Sequence, residues 1–135
     1  HLNLTSYTVD LDLTLDALGS TDGFDGTETN KSLTIANINQ ITGGSGTNSL
    51  TGINSDANWS LTGTNSYQST HTLVFSSFTN LTGGSAADTF DVTPDAEAFT
   101  IAGGAPSSNP LGDQLNIEWG RLRFGHRFLP HGYLQ

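Results

Sequence analysis

Asp10 and Asp12 lie two residues apart in a stretch, Tyr7 to Asp16, that alternates polar and apolar residues. On an extended strand such a pair stands about 7 Å apart on one face, with Asp16 further along it. Paired carboxylates at that range cleave glycosidic bonds: one protonates the leaving oxygen while the other activates water or attacks. The competing reading is an exposed strand that uses alternating Asp to discourage pairing with other strands. A second group is a ladder of hydroxyls. Thr42, Thr62 and Thr82 recur at one fixed interval, with Ala102 in register, and Gln40, Ser60, Asn80 and Thr100 stand two residues earlier. If the repeats stack, Thr42, Thr62, Thr82, Ser60 and Thr100 form a flat outward face of the kind that binds ice, although Thr is also simply a good exposed strand residue. Trp59, Phe99 and Tyr67 offer a sugar-stacking strip, but their register with inward positions favours core packing. The histidines are His1, His71, His126 and His131, and they lack His-Glu-x-x-His spacing. Gly-x-Ser-x-Gly and a phosphate loop with its Lys are likewise missing from the sequence, so the reading leans away from an enzyme.

The element that must position these residues is a repeat. Ile41-Thr42-Gly43, Leu61-Thr62-Gly63, Leu81-Thr82-Gly83 and Ile101-Ala102-Gly103 follow one another at equal spacing, with Gly23 in the same register. A rhythm of twice that length overlies it: 32–63 aligns without gaps on 72–103, matching Ile35 with Phe75, Ile41 with Leu81, Leu50 with Phe90 and Trp59 with Phe99. Fixed self-similarity predicts an all-β, parallel β-solenoid (β-helix) of about five coils with ~20 residues per coil. Ile41, Leu61, Leu81 and Ile101 would stack as its inner column. Gly after each short strand would supply the positive φ of a sharp corner. Val9, Leu11, Leu13 and Leu15 would face inward from an N-terminal edge strand. From Asp113 the register is lost. Leu115, Ile117 and Trp119 alternate as a strand would, and Arg121, Arg123, Phe124, His126, Arg127, Phe128, Pro130, His131 and Tyr133 follow as a C-terminal cap or a foreign tail. The implied divisions are 1–30, a strand and acidic turn region; 31–112, the repeats; and 113–135, a strand and basic, aromatic tail.

Composition narrows the partners. The 135 residues suffice for one domain with a modest core. Sixteen glycines and few Lys or Glu disfavour helices. A net charge of −9 with four Lys and Arg disfavours nucleic acid and anionic membrane as partners, and no apolar run is long enough to span a bilayer. The lack of cysteine excludes disulfides without deciding the compartment. The lack of methionine and of a visible leader suggests a processed product or a fragment.

The double-glycine turns carry a resemblance. Gly43-Gly44-Ser45-Gly46-Thr47-Asn48-Ser49-Leu50-Thr51 and Gly83-Gly84-Ser85-Ala86-Ala87-Asp88-Thr89-Phe90-Asp91 resemble RTX-type nonapeptides. They depart at Asn48, where that pattern has Asp, and at Ala86, where it has Gly. The wider phrasing from Asp22 to Ile117 is similar to repeat regions of bacterial haemagglutinin-like and adhesin-like surface and secreted proteins. This resemblance implies an extracellular β-solenoid with a mechanical or adhesive task. It further implies Asp88 and Asp91, with Asp22 and Asp25 as a second cluster, as candidate oxygen ligands for Ca²⁺. The alternative is that these carboxylates end strands and bond turn amides, with no cofactor. The expectation is thus a structural or adhesive module of a secreted or cell-surface bacterial protein that self-associates or holds a glycan or other surface ligand. The alternatives are a carbohydrate-binding or polysaccharide-cleaving protein and an ice-binding protein.

Overall fold

The computed structural model describes residues 1–94, 96–105 and 112–118, together with the backbone of 123–124 and 127–128. The expectations placed on Trp119, Arg121, His126, Pro130, His131 and Tyr133 lie outside the described residues. In chain order the strands are β1 (Leu2–Asn3), β2 (Asp12–Leu18), β3 (Phe24–Glu28), β4 (Leu33–Ile38), β5 (Gln40–Thr42), β6 (Ser49–Thr51), β7 (Ala57–Leu61), β8 (Asn65–Gln68), β9 (Thr72–Ser76), β10 (Asn80–Thr82), β11 (Asp88–Val92), β12 (Thr100–Ala102), β13 (Gln114–Ile117), β14 (Arg123–Phe124) and β15 (Arg127–Phe128). A seven-stranded sheet runs β1-β5-β9-β8-β7-β11-β13, a six-stranded sheet runs β12-β10-β6-β2-β3-β4, and β14 and β15 form a separate pair.

Alternation along each strand decides which face is buried. In the six-stranded sheet Leu13, Leu15, Phe24, Ile35, Leu50 and Leu81 point inward; in the seven-stranded sheet Ile41, Trp59, Leu61, Tyr67, Leu73, Phe75 and Phe90 do. All of them join one hydrophobic cluster between the two sheets. The rings lock the layers together: Phe24 of β3 meets Tyr67 of β8 with centroids 5.2 Å apart, and Trp59 stacks on Phe90 at 5.3 Å.

A five-coil parallel solenoid is overturned by this pairing, because both sheets are mixed and neither is closed. β7-β8-β9 is an antiparallel meander, and so is β2-β3-β4. The cause is local. Gly63 adopts φ +97° between β7 and β8, and Gly23 adopts φ +60° between β2 and β3, so the chain reverses on itself where a solenoid would carry it onward. The inner column consequently splits. Ile41 pairs with Leu2 and Phe75, Leu61 with Val92, and Leu81 with Leu50 and Ile101, so Leu61 and Leu81 occupy different sheets. Parallel pairing joins Leu50 to Leu81 and Trp59 to Phe90, a longer step than the sequence repeat, because the meander inserts extra chain between the paired strands.

The strand that carries Leu13 and Leu15 is no edge: β2 lies inside its sheet, parallel to β6 and antiparallel to β3. It begins at Asp12, leaving Val9 46% exposed, where the alternation predicts an inward residue. The glycines of the double-glycine turns act by size rather than by positive φ. A methyl group at Gly44 would collide with the Tyr7 carbonyl oxygen, and one at Gly84 with the Ile53 carbonyl oxygen.

Candidate functional site

The two double-glycine turns are built alike around one buried polar residue each. Asn48, on the turn into β6, donates through Nδ2 to the carbonyls of Gly44 (2.9 Å) and Ser77 (2.7 Å), and its Oδ1 accepts from the Leu11 amide (3.0 Å). Asp88, at the start of β11, accepts from the Gly84 amide (3.0 Å) and from Trp59 Nε1 (3.4 Å). Both side chains thus reach back four residues to the second glycine, which fixes the turn that launches the next strand. The Asp88 amide in turn donates to Asp113 (3.0 Å).

Asp88 is fully buried, and burial pushes its carboxyl up to about 6. The Gly84 amide and the Trp59 indole oppose that rise, while the charges of Asp113 and Asp56 add to it. Burial also pushes the Tyr67 hydroxyl well above its ordinary value; its oxygen accepts from the Ile53 amide (3.0 Å). A carboxyl raised by folding is accommodated best when protonated. Its contribution to stability is therefore complete below about pH 4 and is lost as pH rises through 6. The loss is on the order of 1–3 kcal/mol. The Asp88→Asn variant is expected to lack this slope, so its stability relative to the parent should grow between about pH 4 and pH 7 in urea titrations followed by circular dichroism.

The sequence-derived metal candidates separate. Asp88 faces the core. Asp91, three residues on, is half-buried and accepts from Asn116 Nδ2 (2.8 Å). An odd spacing on one strand puts the two carboxylates on opposite faces. Asp22 accepts from Asn39 Nδ2 (3.0 Å), and Asp25 accepts from the amide of Asn37 (2.8 Å), a residue at φ +53°. Among the described residues no group of three or more His, Asp or Glu is placed to hold a metal ion.

Asp10 and Asp12 do not share a strand. Asp10 precedes β2 and accepts from the Thr47 amide (2.8 Å), tying the approach to β2 against the turn into β6. Asp16 accepts from Thr27 Oγ1 (3.1 Å) across the β2–β3 pair. His1 contacts Thr42 Oγ1 through Nε2 (3.1 Å), and half-buried His71 contacts the Gly23 carbonyl through Nδ1 (2.8 Å).

The expected hydroxyl face also divides. Thr42 and Ser60 belong to the seven-stranded sheet, Thr62 follows β7, and Thr82 and Thr100 belong to the six-stranded sheet. A different alignment replaces it. Direct pairings across the six-stranded sheet join Ala102, Thr82, Thr51, Thr14, Thr27 and Thr34 in one row. Each flanks inward Ile101, Leu81, Leu50, Leu13, Gly26 or Ile35, so the row lies on the outer face. Sequence reasoning missed Thr14, Thr27, Thr34 and Thr51 because none of them is in register with the repeat that joins Thr42, Thr62 and Thr82; only strand pairing brings them together. The outer face of the seven-stranded sheet carries a shallow groove of about 380 Å³, lined by Asp56, Asn58, Gln68, Ser69, Thr89 and Gln114 among others.

Glu28 is the other functional-looking residue that sequence reasoning left unassigned. It is buried at the end of β3, where its carboxylate accepts from the amides of Asp12 (2.8 Å), Asn30 (3.2 Å) and Lys31 (2.5 Å). Its parity with Phe24 and Gly26, an acid at an inward position, was the available signal. Asn65 Oδ1 is buried without a hydrogen-bond donor among the described residues, while its Nδ2 donates to Glu97 (2.9 Å). Comparison of the chain with known protein families, curated proteins and solved structures finds no match.

Proposed function

We propose that this chain is a structural and adhesive module of a secreted or cell-surface protein, one that meets its ligand with the outer face of a sheet. The observation that carries this reading is the outward row of Thr82, Thr51, Thr14, Thr27 and Thr34, ended by Ala102, which six paired strands hold above a single core. Such an array suits an extended, repetitive surface. It does not suit a small substrate, which needs polar groups that converge in a concavity. The double-glycine turns, with their likeness to bacterial surface-protein repeats, agree with an extracellular setting. Asp88, Glu28 and Asn48 serve the framework, since each bonds turn or strand amides or carbonyls within the protein.

The test is retention of the protein on a panel of insoluble surfaces: cellulose, chitin, hydroxyapatite and ice. Selective retention on at least one, weakened when the outer threonines are replaced, is expected. Uniform failure to bind, or release of reducing ends from a polysaccharide, would overturn the reading.

A second reading, carbohydrate binding, is favoured by the groove on the seven-stranded sheet. Its amide side chains Asn58, Gln68 and Gln114 supply both donors and acceptors for sugar hydroxyls. Titration with soluble oligosaccharides should move the amide resonances of those three residues, and Gln68→Ala should weaken the effect. Unmoved resonances would remove this reading.

A further inference from the structure

We propose that the threonine row of the six-stranded sheet binds the ordered water lattice of ice; this deepens the adhesive reading and rests on it. Strand pairing sets the geometry. Thr82, Thr51, Thr14, Thr27 and Thr34 stand on five adjacent strands in direct register, so they span about 19 Å at the usual strand spacing. That spacing is close to a repeat of the oxygen lattice in hexagonal ice. Each threonine presents a hydroxyl, with one donor and two acceptor positions, beside a methyl group. The hydroxyl anchors a water, and the methyl orders the waters around it, so a row of such pairs templates a line of lattice positions. The first three of these strands run parallel, β10-β6-β2, and the register slips in β2 and β3 occur past Leu15 and before Gly26, outside the row. Thr27 has its hydroxyl hydrogen engaged by Asp16, which leaves its acceptor positions outward.

The chemistry of the face argues for this occupant over others. The row itself carries no charge, and the carboxylates that flank it on the same face of β2, Asp12 and Asp16, disfavour an anionic polymer or an anionic lipid surface. Rings that would stack on sugars are turned away: Phe24 of the same sheet, and Trp59, Tyr67, Phe75 and Phe90 of the other, are all buried between the layers. β-Branched threonines have few χ1 rotamers on a strand, so their hydroxyls and methyls are already ordered before binding.

The experiment measures inhibition of ice recrystallisation and thermal hysteresis for the parent chain and for Thr51→Tyr, Thr14→Lys and Thr72→Tyr. Thr72 is exposed on β9 of the other sheet, outside the groove, and serves as the control; circular dichroism confirms that each variant keeps the strand signal. The expected result is activity in the parent, a loss of at least tenfold in Thr51→Tyr and Thr14→Lys, and no change in Thr72→Tyr. An inactive parent overturns the ice assignment, as does equal loss in all three variants or unchanged activity in the row variants. If the inactive parent still binds cellulose, chitin or hydroxyapatite, the adhesive reading stands alone. If it binds none of the surfaces, both readings fall.

Discussion

Trp59→Ala is expected to destabilise the protein by about 3–5 kcal/mol, a large share of the roughly 5–15 kcal/mol that holds a typical domain together. Trp59 is fully buried. It stacks on Phe90 at an interplanar angle of 15° and meets Tyr67 and Phe75 edge-on, with centroids at 4.5 and 6.0 Å. Tyr67 carries the contact to Phe24 in the other sheet, so the indole supports the link between layers. Removing it empties the centre of the core and takes away the Nε1–H that Asp88 accepts. Trp59→Phe should cost less, because it keeps a ring in the stack while losing that donor. Urea unfolding followed by far-ultraviolet circular dichroism measures both. A loss below about 1 kcal/mol in Trp59→Ala would contradict the packing described.

Glu28→Ala is expected to be the next most damaging change, at about 3 kcal/mol. One carboxylate satisfies three amides: Asp12 at the start of β2, and Asn30 and Lys31 in the turn between β3 and β4. Hydrogen bonds to a charged acceptor contribute more than neutral ones, and stranded donors add their own desolvation penalty. Glu28→Gln should cost about half as much by the same reasoning: one oxygen can still serve Asp12 and Asn30, but the amide nitrogen then faces the Lys31 N–H, donor against donor. Hydrogen exchange at Asp12 and Lys31 should quicken in both variants, and more in Glu28→Ala. Unchanged exchange at these two amides would contradict the clamp.

The longer sequence alignment, 32–63 on 72–103, conveys which side chains face the core, but not which strands adjoin. It matches Ile35 with Phe75, Ile41 with Leu81, and Leu50 with Phe90, and every one of them is buried. Yet each matched pair is split between the two sheets: Ile35, Leu81 and Leu50 belong to one, and Phe75, Ile41 and Phe90 to the other. Alternation reports a face, because the side-chain period of a strand is two residues whatever its partner. Partner choice depends on whether the intervening chain turns back or carries on. Backbone angles at Gly63 and Gly23 decide that, and the repeat does not distinguish those glycines from Gly43 and Gly83. The candidate site is obscured in the same way. The repeat singles out Thr82 but not Thr51 and Thr14, which pair beside it, since the step from Thr51 to Thr82 is longer than the repeat that joins Thr62 to Thr82. The equivalence of Asn48 and Asp88 was legible, because the nonapeptide frame carries both, and both reach back to the second glycine of their turns.

The pairing of β2, β6 and β10 is what the threonine row and its proposed ligand depend on. Scalar couplings transmitted through backbone hydrogen bonds test it directly by nuclear magnetic resonance. The Gly52 amide nitrogen should couple to the Thr82 carbonyl carbon, and the Ser49 nitrogen to that of Leu11, matching hydrogen bonds of 2.9 and 2.8 Å. Couplings that instead join the Leu81–Gly83 segment to Leu61–Gly63, one sequence repeat away, would contradict the two-sheet arrangement and remove the row.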